Sequence, residues 1–141
     1  MKKLYFTLLS SLLILAGCSK DFLKNYNDRI VGTWRLVDVD RRGIGGNTGN
    51  LPFRSGQFIF EEDGSLSYVN DAGEVYGGSW NISRQYGVND DGNKTLEITA
   101  VNFTTQDVRT EIFERIQFTG TNRFKGFIYS GAHTYVFYFR R

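Results

Sequence analysis
The chain has 141 residues with 17 basic and 15 acidic side chains, sixteen glycines, one proline, one cysteine, one histidine and 16% aromatic residues. A single cysteine excludes a disulfide framework, and a single histidine excludes a His-ligated metal cluster. With residues 1–17 set aside, 15 basic groups stand against 15 acidic ones, which excludes the basic excess that nucleic-acid binding requires.

Met1, Lys2 and Lys3 form a short positive segment, and Leu4 to Leu15 is an apolar run too short to span a hydrocarbon core of about 30 Å. It reads as a signal peptide. Leu15, Ala16, Gly17 and Cys18 then place small residues before the only thiol. These four residues resemble a bacterial lipobox, which implies that Cys18 becomes an acylated mature N-terminus with the membrane as its partner. Each buried methylene of an acyl chain contributes about 0.8 kcal/mol of membrane affinity. Ser19, Lys20 and Asp21 resemble the short signal that exports lipoproteins to the cell surface in Bacteroidetes. The expected location is therefore the outer membrane or the cell surface, facing the periplasm if that signal is not used. The division that follows is 1–17 signal peptide, 18–29 lipidated tether and 30–141 folded domain, a length that suits one domain with a real core.

The tether ends in one expected helical turn around Arg29 to Val31. Apolar and polar residues then alternate over short stretches, which predicts strands at Thr33–Val39, Gln57–Glu61, Leu66–Val69, Glu74–Ser83, Thr95–Ala100, Thr110–Phe118, Arg123–Tyr129 and His133–Arg140. Polar turns rich in Gly, Asn and Asp separate them. In the loop Arg84–Lys94, Asp90, Asp91 and Gly92 suggest calcium, but Ile98 stands where an EF-hand loop needs its glutamate.

Eight antiparallel strands in a meander remove both sheet edges by closing the last strand on the first. The expected architecture is an eight-stranded up-and-down β-barrel, with an interior filled by side chains or holding one small ligand; the other architecture the pattern allows is an open sandwich.

Gly32, Thr33 and Trp34 open the first strand and resemble the Gly-X-Trp start of the lipocalin-like, or calycin, families, in particular the small lipocalin-like lipoproteins of Bacteroidetes. The resemblance implies an indole plugging one end of the barrel with an arginine of the last strand across it. Arg140 is the best match and Arg141 the next.

No paired-carboxylate spacing, nucleophile motif or phosphate loop is present, so neither catalysis nor a cofactor is expected. Tyr68, Tyr76, Trp80, Tyr135 and Phe137 fall on one expected inward face and combine apolar rings with polar tips. Glu114 lies between Ile112 and Ile116 on that face, where a carboxylate must find a partner or stay protonated. These six are the candidate ligand-binding residues. Asp38 shares the Trp34 face and is expected at the rim, as is His133. Two functions follow. One is a lipid-anchored barrel binding a small apolar or amphipathic ligand. The other is a solid barrel that docks an envelope partner through its outside, where Phe127, Tyr129 and Tyr138 are expected.

Overall fold
The computed structural model describes residues 25–44, 51–84 and 93–141; Cys18, the leader before it and Asp90–Gly92 lie outside them. A five-residue helix, α1 (Tyr26–Ile30), precedes nine strands: β1 (Gly32–Gly43), β2 (Gly56–Phe60), β3 (Ser65–Val69), β4 (Val75–Arg84), β5 (Lys94–Asn102), β6 (Asp107–Phe113), β7 (Arg115–Phe118), β8 (Arg123–Ser130) and β9 (His133–Arg140). All pair antiparallel in one sheet of order β6-β5-β4-β3-β2-β1-β9-β8-β7. The result is an all-β, nearly closed, barrel-like meander.

The strand count is nine rather than eight because the expected strand Thr110–Phe118 changes partner midway. Its first part, β6, pairs with β5 from Asn102↔Asp107 to Leu96↔Phe113. Its second part, β7, pairs with β8 from Arg115↔Phe127 to Phe118↔Phe124. Phe113 and Ile116 are both buried, a spacing that a period-two strand cannot provide. The chain therefore breaks at Glu114, whose backbone carbonyl accepts from Thr95 Oγ1 at 3.2 Å. The break reverses the expected facing: Ile112 is 47% exposed, whereas Phe113 is fully buried.

A second shift of phase occurs in β1. Trp34 and Leu36 face the core, a bulge follows between Leu36 and Asp38, and Val39 takes the next place against the core. An extra residue in one strand turns the following side chains over. Asp38 is accordingly exposed on the outside.

Aromatic rings fill the interior. Phe124 stacks on Phe139 at 4.3 Å, Phe139 meets Phe58 at 5.6 Å, and Phe113 stands edge-on to Phe137 at 4.9 Å. Such pairs contribute about 0.5–1.5 kcal/mol each beyond burial.

The end where β1 begins is sealed. Trp34 is fully buried, its Nε1 donates to Ile30 O at 2.6 Å, and Phe124 packs edge-on at 4.8 Å. The arginine across the indole is Arg141, 4.3 Å from the ring, and not Arg140. In β9 Phe139 is inward, so Arg140 is outward and exposed; only the next residue can turn back over the barrel end. Arg141 Nη2 donates to the carbonyls of Arg29 and Val31, tying α1 down. Gly32, at φ +116°, has the left-handed backbone that favours glycine, and a Cβ there would sit 3.3 Å from that guanidinium.

Candidate functional site
At the opposite end, residues 51–55, just ahead of β2, fold back over the barrel. Phe53 is fully buried and packs edge-on against Phe58 at 5.3 Å and Tyr68 at 4.9 Å. Two polar side chains from the barrel fix these residues. Tyr68 Oη donates to Ser55 O at 2.9 Å, and Arg109 Nη1 donates to Pro52 O at 3.3 Å.

Arg109 is also the centre of a polar group on the inward face of β6. Its Nε donates to Asp107 Oδ2 at 2.9 Å, and its guanidinium lies 4.5 Å from the Tyr76 ring centre. Tyr76 Oη donates to the same Asp107 oxygen at 2.9 Å. The Asp107 carboxyl is held below its ordinary pKa, first by Arg109 and then by Tyr76. Burial, reinforced by the bond to Asp107, pushes the Tyr76 hydroxyl up to about 12. Burial likewise raises Tyr68, partly offset by Arg109. At neutral pH both phenols are neutral donors and Asp107 is an anion.

Asp107 and Arg109 of this group floor a cleft of about 620 Å³ at the mouth, walled by Arg54, Ser55, Tyr68 and Asp71. Arg54 is exposed in that wall. The cleft thus offers a cation, fixed polar groups and one tyrosine ring; among the described residues no three His, Cys, Asp or Glu side chains come together to hold a metal.

The six expected ligand-binding residues do not form one site. Tyr68 and Tyr76 are register partners with rings 5.4 Å apart, and Tyr68 lines the mouth cleft. Trp80 is near the sealed end, where it packs against Phe60 and donates to Glu61 O at 3.0 Å; it lines a separate cleft of about 670 Å³ with Asp28 and Glu62. Phe137 is core against Phe113, and Tyr135 packs edge-on to His133 at 5.0 Å. Glu114 is half-buried at the strand break and lines neither cleft. Beside Asp107, the other half-buried carboxylate on the inward face of β6 is Glu111, raised above its ordinary pKa by burial and accepting from the Ile112 N–H at 3.1 Å.

Arg54, Asp107 and Arg109 were not expected from the sequence. The signal for the last two is the alternation Asp107, Arg109, Glu111, Phe113, which puts them on one face once Phe113 rather than Ile112 is taken as inward. No family model, curated protein or solved structure matches this chain.

Proposed function
We propose that this is a lipid-anchored envelope lipoprotein with a lipocalin-like barrel, which works without catalysis by holding the head of a small amphipathic ligand at the barrel mouth. The anchor rests on Leu15–Cys18, and the lipocalin-like reading on Gly32–Trp34 and the sealed barrel end. The observation that carries the ligand reading is the mouth cleft. Its floor is fixed in advance by the Tyr68, Tyr76, Asp107 and Arg109 bonds, while Arg54 stands exposed in its wall. A preorganised polar floor orients a ligand without the entropic cost of ordering it. Because rings fill the interior, the ligand is held at the mouth, with Arg54 favouring an anionic head and Tyr68 the adjoining apolar part.

Titration of the full chain with 1-anilinonaphthalene-8-sulfonate, an anionic amphipathic fluorophore, tests this. The expected result is a saturable response that Arg54→Gln weakens about tenfold, the size of one charge-assisted hydrogen bond. Trp80→Phe, at the other end, should leave the affinity unchanged. Binding indifferent to Arg54 overturns the reading.

A second reading, docking of an envelope partner, is favoured by one observation. On the outer face, Val75, Phe103 and Val108 are exposed, Phe103 by 74%. Exposed apolar groups of this kind mark interaction surfaces. Envelope cross-linking that Phe103→Ser abolishes, with fluorophore binding absent, would select it.

A further inference from the structure
The charge balance of the chain hides an uneven distribution. The register sets Arg35 of β1 opposite Arg140 of β9, and Arg140 opposite Arg123 of β8. Three arginines thus stand side by side across three neighbouring strands on the outer face, all three exposed, with Arg123 and Arg140 at the sealed end and Arg35 reaching toward Asp71. Lys125 is two residues along β8 on the same face, beside the Tyr138 ring at 5.1 Å. The acidic groups near the row are few. Asp71 pairs with Arg35 at 3.2 Å, an exposed contact, and Asp38 stands across from Tyr138. Arg123 and Arg140 have no acidic partner among the described residues.

Like charges directly opposite each other on neighbouring strands destabilise a sheet. The repulsion is relieved when an anionic surface lies against the row. Adjacent strands are about 4.8 Å apart, so the row presents three guanidinium groups across roughly 10 Å of open sheet. All three side chains are exposed, and an open row suits an extended layer of phosphates better than one captured ion.

We propose that the Arg35–Arg140–Arg123 row is the face that lies against the anionic, phosphate-bearing headgroups of the membrane that anchors the chain. The inference rests on the anchored reading above. Helix α1 is held at this same end by Arg29, whose Nη2 donates to Gly120 O at 3.2 Å. A tether from Cys18 to Asn25 reaches at most about 25 Å fully extended. The anchor therefore keeps the Arg140 and Arg123 end of the row within reach of the bilayer, while Arg35 extends toward Asp71 at the edge of the mouth cleft.

The test uses the full chain reconstituted in nanodiscs of neutral phosphatidylcholine and in discs containing phosphatidylglycerol, with arginine reactivity toward phenylglyoxal read by mass spectrometry. In anionic discs at low salt, Arg123 and Arg140 should react slower by about fivefold, the scale of one basic side chain at an anionic surface. The difference should vanish at high salt, where screening is within a few ångströms. Arg42, at the far end of β1, should react alike in both discs. Equal rates for Arg123 and Arg140 in the two discs overturn the inference alone. A chain retained by neither disc overturns it together with the anchored reading. Equal protection by inorganic phosphate in neutral discs assigns the row to a free anion and also overturns it.

Discussion

The ring of Phe113 occupies the space that a Cβ on Gly126 would need, since that atom would lie 2.5 Å from Phe113 Cδ1. Phe113 ends β6 and Gly126 is in the middle of β8, two strands that the hydrogen-bond ladder does not join. Closure at this seam is made by a side chain on a glycine instead of by backbone pairing.

Gly126→Ala should therefore destabilise the domain by about 1–3 kcal/mol, the usual cost of overpacking a core. Chemical denaturation of the two chains measures it. Adding Phe113→Leu should recover part of the loss, because the smaller side chain vacates the disputed space. A neutral Gly126→Ala would show that the seam yields freely.

Arg140 and Arg141 should differ in their effect on stability. Arg141→Ala removes a cation–π contact with Trp34 and the bonds to α1, and should cost about 1–2 kcal/mol. Arg140→Ala, on the exposed outer face, should stay within about 0.5 kcal/mol. Thermal melting of both variants separates them; a larger loss at Arg140 would contradict the sealed end described here.

Two carboxylates of β6 should respond to acid in opposite directions. Asp107 has a lowered folded pKa, so its contribution is present above the ordinary value of 3.8 and is lost as pH falls through the folded one. Glu111 has a raised folded pKa, so its burial is tolerated best when protonated, and the domain gains from it as pH falls through the folded value toward 4.5. Glu111→Gln should raise the melting temperature at pH 7, with the advantage shrinking as pH falls toward 4.5 and gone below it; Asp107→Asn should lower it at pH 7 and flatten the acid-side loss. Melting curves from pH 3 to 7 check both signs.

The raised hydroxyl of Tyr76 gives the alkaline counterpart. With a folded pKa of about 12 against an ordinary 10.0, its contribution is complete below pH 10 and is lost as pH rises toward 12. Tyr76→Phe should remove that slope, which melts between pH 9 and 12 would show.

Strand positions were legible in the sequence because alternation is a local property: His133–Arg140 is β9 to the residue, and Trp34, Phe58 and Phe124 point inward as their neighbours require. The phase shifts at Leu36/Asp38 and at Glu114 were not, since each depends on a partner strand far along the chain. For that reason Glu114 was expected on the face that Glu111 occupies. Phe53 sits in a segment without alternation, so its return over the barrel left no local mark. The Arg140 assignment is different, for the inward Phe137 and Phe139 already turn Arg140 outward.

The pairing of β1 with both β2 and β9 also sets a clock. Leu36 stands opposite Gly56 on one side and Phe139 on the other, so half of its neighbourhood is local and half is about a hundred residues away. Topologies with such distant pairings fold in milliseconds to seconds, because the loop must close before the contact rewards it. The two indoles sit on opposite sides of this divide. Trp80 is enclosed by Phe60 and Glu61, within the contiguous meander of β2, β3 and β4, whereas Trp34 needs Phe118, Phe124 and Arg141. During refolding, the environment of Trp80 is complete once neighbouring hairpins have formed, and that of Trp34 only when the two ends of the domain have met.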